Sequence, residues 1–116
     1  GGVPASGATD VVMAPWNDLD AVDAIFERHP GEIAAIIAEP VWYNAGCILP
    51  EPGFLAALRE RTTTHGSLLI LDEVLSGFRM ALGGAQEHYG VTPDLTTLAK
   101  ALANGMPLSV VGGRAA

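Results

Sequence analysis

The run Leu68-Leu69-Ile70-Leu71 is apolar at every position, as is the strand candidate Ile33-Ala34-Ala35-Ile36-Ile37-Ala38. A strand with one face in water alternates apolar and polar residues, because successive side chains point to opposite sides of the sheet. Uninterrupted apolar runs therefore indicate strands covered on both faces, the arrangement of parallel sheets in α/β proteins. The strand candidates are Asp10-Val11-Val12-Met13, Ile33-Ala34-Ala35-Ile36-Ile37-Ala38, Leu68-Leu69-Ile70-Leu71, Leu95-Thr96-Thr97-Leu98 and Leu108-Ser109-Val110-Val111.

Helical patterns separate these runs. Asn17 or Asp18 is placed to cap a helix reaching about Arg28, with Leu19, Val22, Ile25 and Phe26 on one face and Pro30-Gly31 stopping it. A second helix is predicted from Pro52 to Thr64, with Phe54, Leu55 and Leu58 on its buried side and Gly66 beyond its end. The segment from Gly83 to Gly90 predicts a short glycine-bounded helix, and Leu98 to Asn104 predicts another helical turn. The fold class expected is thus α/β, a mostly parallel sheet with flanking helices, and 116 residues suffice for one domain. The start at Gly1 and the end at Gly113-Arg114-Ala115-Ala116, straight after an apolar run, read as the limits of an excised piece.

Six basic against thirteen acidic residues give a net charge of −7, which repels phosphate backbones and disfavours both nucleic acid and anionic membrane as partners. No apolar stretch of about 20 residues marks a membrane span, and no leader pattern is present. The single cysteine, Cys47, has no internal disulfide partner, so a reducing cytoplasm is expected. His29, His65 and His88 are too scattered for a ligand pair and read as helix-end or surface residues, so no metal site is expected.

The chemistry concentrates at Asp72, which closes the Leu68 to Leu71 run, and at Lys100, which follows 28 positions later (72 to 100) with Pro93-Asp94-Leu95 between. A buried lysine can form an imine with an aldehyde, while a buried carboxylate beneath a ring nitrogen keeps it protonated and makes the ring an electron sink. Glu39, Asp72 and Lys100 each fall just past the carboxyl end of a predicted strand, the edge where open α/β sheets build ligand sites. The simpler alternative, in which Glu39-Pro40 and Asp72-Glu73 only turn their strands, stays open. A different class of function is also compatible with Leu68 to Glu73, since an apolar strand ending in Asp-Glu binds magnesium in P-loop ATPases. The G-x-x-x-x-G-K-[ST] loop such an enzyme needs is absent from the sequence. A third reading is a fragment with no activity.

Three clusters carry a resemblance to a known family: Ala38-Glu39-Pro40 with Asn44 and Gly46, Leu71-Asp72-Glu73-Val74 with Gly77-Phe78-Arg79, and Pro93-Asp94-Leu95 with Leu98-Ala99-Lys100. Together they resemble the class III aminotransferases, which use pyridoxal 5′-phosphate on the fold-type-I scaffold. Within that class, Gly83-Gly84-Ala85-Gln86 and the segment from Tyr89 to Leu98 are most similar to the glutamate-1-semialdehyde 2,1-aminomutases, which convert glutamate-1-semialdehyde to 5-aminolevulinate. The resemblance implies that residues 1–116 are part of the cofactor-binding large domain, with Lys100 as the Schiff-base lysine. It implies Asp72 as partner of the pyridinium nitrogen, Val74 against one ring face and Asn44 near the phenolic oxygen. Asn44 favours aminomutase-like relatives, because ornithine- and GABA-type transaminases often carry glutamate there. Glu39, Glu73 and Arg79 also match and read as a scaffold of turns and ion pairs.

The family's usual glycine before the lysine is Ala99 here, and Ala101-Leu102-Ala103-Asn104-Gly105 replaces a glycine-rich stretch, which leaves the substrate's identity open. Trp42 and Tyr43 read either as an aromatic wall of the substrate site or as an amphipathic lid over the sheet edge. The resemblance further implies a small amino acid or amino aldehyde as substrate and a homodimeric parent. In that parent, segments upstream and downstream would supply a phosphate cup, an aromatic residue stacked on the cofactor and a threonine reaching across the dimer.

Overall fold

A computed structural model describes Gly7 and residues 10–113. Helix α1 (Leu19–Arg28) starts where Asp18 accepts a hydrogen bond from the Ala21 amide at 2.8 Å, which satisfies one of the donors a first helical turn leaves open. Strand β1 (Ala35–Ala38) follows, then a single 3-10 turn (Tyr43–Ala45), helix α2 (Phe54–His65), strand β2 (Leu68–Asp72), helix α3 (Gly84–Tyr89), strand β3 (Leu95–Leu98), helix α4 (Lys100–Ala103) and strand β4 (Val110–Gly113). Helix α2 ends as predicted at Gly66, whose φ of 69° opens the left-handed region. There the Ser67 amide reaches the Thr62 carbonyl and the Gly66 amide the Thr63 carbonyl, the paired bonds of a Schellman cap.

The sheet order is β1-β2-β3-β4, with β1, β2 and β3 parallel and β4 antiparallel to β3. Residues 99–109 connect β3 to β4, fewer than the dozen or more that a parallel crossover needs, so the chain returns in the opposite direction. Register fixes the faces. Ile36 and Ala38 lie beside Leu69 and Leu71, and this side packs on Val22 and Phe26 of α1 and Phe54, Leu55 and Leu58 of α2. Leu69 and Leu71 are fully buried, each contributing about 1.5–3 kcal/mol of transfer free energy. Asp23 and Arg61 join the two helices through paired bonds of 2.6 and 2.7 Å, and Phe26 stacks on His65 at 4.2 Å.

Three sequence expectations are corrected here. Residues Asp10 to Met13 form no strand among the described residues, and Met13 is 82% exposed. Strand β1 begins at Ala35 and not at Ile33, and β4 is shifted from 108–111 to Val110–Gly113. Its last residue is glycine because Gly113 lies so close to Leu95 and to the Asp94 carbonyl that a Cβ would sit 2.6–2.7 Å from them. The double-faced burial expected of the apolar runs is half realised among the described residues. The face opposite the helices presents Ile37, 65% exposed, and carries Leu68 and Val111 exposed on neighbouring and outer strands.

Candidate active site at the carboxyl edge of the sheet

Because β1, β2 and β3 run the same way, their carboxyl ends share one edge. Glu39 follows β1, Asp72 is the last residue of β2, and Lys100 opens α4 two positions after β3. The edge expected to gather them does so. Lys100 is exposed, where burial was expected, because it opens a four-residue helix at the rim of the sheet, and it makes no ion pair or side-chain hydrogen bond with a described residue. It is also the sole lysine in the sequence, so no other side chain in these 116 residues offers a primary amine.

Strand alternation separates the two adjacent carboxylates. Asp72 continues the face of Ile70, opposite the helices, and its register partner is Thr97. Its Oδ1 accepts the Thr97 hydroxyl at 2.8 Å and the Val74 amide at 3.0 Å, while no described residue donates to Oδ2. Glu73 turns the other way and is buried. Its Oε2 accepts the Ser76 hydroxyl at 2.9 Å and the Ala85 amide at 2.7 Å; its Oε1 accepts the Gln86 amide at 2.9 Å and the Gln86 side-chain amide at 3.1 Å. Glu73 is therefore a strut that fixes the start of α3 beneath the sheet edge. Gly84 makes this approach possible: its φ is 80°, and a Cβ there would stand 2.5–2.8 Å from the Glu73 carboxylate.

Glu39 and Asn44 form a second unit. Glu39 Oε1 accepts the Asn44 side-chain amide at 2.6 Å, and Oε2 accepts the Tyr43 backbone amide at 3.0 Å, holding the 3-10 turn against the end of β1. Trp42 and Ile48 exchange backbone bonds of 2.9 and 3.1 Å, closing the loop as a narrow hairpin. The Trp16 indole donates to the Leu49 carbonyl at 3.3 Å, and the Asn17 side chain bridges Leu49 and Glu51. Trp42 lies 6.3 Å from Trp16. The hairpin is thus pinned to the start of α1, which fits an anchored wall better than a free lid.

The scaffold role expected of Glu39 and Glu73 holds for turns. The ion pairs do not form: the partners of both are neutral, and Arg79 is exposed without an ion pair among the described residues. An ion pair does form at the opposite, amino-terminal edge of these strands, between Arg59 and Asp94 at 2.6 Å, and Asp94 also accepts the Leu69 amide. Sequence reasoning missed Thr97, whose importance depends on a register that only pairing reveals, and Ser76 and Gln86, which matter because the turn after β2 and the start of α3 fold onto Glu73. No group of three His, Cys, Asp or Glu residues among the described ones has the geometry to hold a metal. His29 and His65 end helices, as expected, and His88 lies in the last turn of α3. No described helix is long and apolar enough to cross a membrane.

An unpaired amine can condense with an aldehyde, and a carboxylate with one oxygen lacking a donor can accept an N–H from a heteroaromatic ring. Both groups occur at one sheet edge, so the donor set fits a pyridine aldehyde cofactor.

Comparison with known proteins agrees. The sequence model of the family described as aminotransferase class-III matches residues 8–116. An ω-transaminase from Sphaerobacter thermophilus superposes with a TM-score of 0.90 at 43% identity, covering 99% of this chain and 26% of that one. A β-phenylalanine aminotransferase from Variovorax paradoxus gives 0.83 at 43% identity, over 90% of this chain and 24% of that one. A glutamate-1-semialdehyde aminomutase from Pseudomonas aeruginosa PAO1, solved in complex with PMP, gives 0.84 at 35% identity, over 97% and 25%. The chain spans about a quarter of the length of these solved structures.

Proposed function

The chain belongs to the class III aminotransferases, whose cofactor is pyridoxal 5′-phosphate, and from that premise we propose that its parent protein moves an amino group on and off that cofactor. The observation that carries the reading is the placement of Lys100, the sole lysine of these 116 residues, and Asp72 on one sheet edge, the amine and Asp72 Oδ2 both without a partner among the described residues. When bound, the cofactor supplies a ring that withdraws electrons from the carbon bearing the amine. Lys100 would hold the cofactor at its aldehyde carbon and would carry the proton between substrate carbons. Asp72 Oδ2 accepts the ring N–H, with Oδ1 already committed to Thr97 and Val74. Val74, the residue whose amide closes the turn on Asp72, packs against one ring face. Asn44 faces the phenolic oxygen with its orientation set by Glu39. Residues 1–116 act as part of the cofactor-binding large domain of a homodimer that works in the cytoplasm, and the phosphate is held by residues outside this chain.

Asn44 and the Gly83-Gly84-Ala85-Gln86 segment favour an aminomutase that converts glutamate-1-semialdehyde to 5-aminolevulinate. A second reading, transfer from a β-amino acid or amine to a keto acid, is favoured by the 43% identity to two transaminases. The parent protein given glutamate-1-semialdehyde and no amine acceptor decides between them. Formation of 5-aminolevulinate supports the aminomutase. Inertness toward it, with transfer from β-phenylalanine or an amine to pyruvate, supports the transaminase, and inertness toward all of these substrates refutes amino transfer.

A further inference from the structure

Thr97 is tied to the end of β2 at two points. Its carbonyl accepts the Glu73 amide at 3.0 Å, and its hydroxyl donates to Asp72 Oδ1 at 2.8 Å. A β-branched side chain in a strand has few χ1 choices, so the direction of that O–H is set by the backbone register that places Thr97 opposite Asp72. The Val74 amide reaches the same oxygen at 3.0 Å from the other side. Two donors from different elements thus hold one oxygen of a carboxylate and turn the other outward. We infer that Thr97 is a positioning residue for the cofactor's ring: its hydroxyl locks the Asp72 carboxylate so that Oδ2 meets the ring nitrogen in line.

This inference rests on the proposed role of Asp72 and adds a second residue to it. Without the Thr97 hydroxyl, Asp72 keeps its charge and the Val74 bond yet gains rotational freedom about its side chain. The loss falls on the ring's orientation and on the step that needs a protonated nitrogen, and it leaves the binding of the amino donor alone. An acceptor held in one geometry by its scaffold is the form in which such contacts assist chemistry.

The test uses the full-length parent with Thr97→Val, which keeps the branched shape, and Thr97→Ser, which keeps the hydroxyl. Thr97→Val is expected to lower kcat at least about tenfold, the worth of one hydrogen bond to a charged group. KM for the amino donor stays within about threefold, and the dissociation constant of pyridoxal phosphate from the apoprotein, read by fluorescence quenching, rises several-fold. Thr97→Ser is expected to recover most of both losses. In an Asp72→Asn background, Thr97→Val adds little, because the two act as one unit. A Thr97→Val protein within twofold of the parent in kcat and in cofactor affinity overturns the inference, as does a Thr97→Ser protein that is equally impaired. Should Asp72→Asn itself turn over within about tenfold of the parent, a change of only ~1.4 kcal/mol in barrier, the proposed role of Asp72 fails first. Circular dichroism and the thermal midpoint of each variant separate these outcomes from misfolding.

Discussion

Replacing Glu73 by glutamine changes one oxygen for an NH2 group and little else in shape. Four donors converge on that carboxylate, two on each oxygen, and each oxygen receives one backbone amide: Ala85 on Oε2 and Gln86 on Oε1. Whichever way the new amide turns, one backbone N–H at the start of α3 faces another donor. The Ser76 hydroxyl and the Gln86 side chain can rotate away, but the backbone amide cannot. A buried donor left without a partner costs about 1–3 kcal/mol, so local opening of α3 becomes easier by ~2 kcal/mol. Amide exchange in a peptide covering 83–90 should then accelerate about 30-fold, at ~1.4 kcal/mol per factor of ten. Hydrogen exchange with mass spectrometry on the parent protein reads this directly, with the 54–65 peptide of α2 as the unaffected control. Exchange of the 83–90 peptide within threefold of the parent, with the control unchanged, would show that the carboxylate is not what holds α3.

Two further outcomes follow from the same geometry. Gly84→Ala should destabilise the same helix by at least ~1–2 kcal/mol, since it combines a positive φ with a Cβ 2.5 Å from Glu73 Oε2; a thermal midpoint equal to that of the parent would contradict the close approach. The bidentate hydrogen bond from Arg61, with its charge adding to it against a small desolvation, holds the Asp23 carboxyl below its ordinary value. A depressed carboxylate stabilises above its unfolded value and loses that contribution as pH falls through the folded one. Asp23→Asn should therefore lower the thermal midpoint slightly at neutral pH, by the ~0.5 kcal/mol of a screened half-exposed pair, and the difference should vanish in acid. A deficit that persists unchanged into strong acid would remove the ion pair as its cause.

Much of this architecture was legible because single residues announce it. Asp18 before an apolar stripe marks the start of α1, Gly66 marks the end of α2, and Leu95 to Leu98 reads as β3 without adjustment. The carboxyl-edge placement of Glu39, Asp72 and Lys100 follows once those strands are parallel. What could not be read depends on pairing between distant segments. Thr97 looks like any strand threonine until register sets it opposite Asp72. The apolar Val11-Val12-Met13 run has the composition of a strand but no partner among the described residues, and composition does not reveal partners. The glycines that end β4 argue against a strand by propensity, yet close approach to Asp94 and Leu95 requires the second of them, Gly113. The roles of Glu73 and Asp72 differ because alternation sends them to opposite faces, and the dipeptide alone cannot say which faces the helices.

The claim at the centre of this account is that Lys100 is the residue on which the parent protein carries its cofactor. Borohydride reduction of the pyridoxal phosphate-loaded parent, followed by proteolysis and mass mapping, tests it most directly. The peptide containing Leu98-Ala99-Lys100 is expected to carry the reduced cofactor's mass, and Lys100→Ala to abolish the label. Label on a lysine elsewhere in the parent, with Lys100 unmodified, would contradict it.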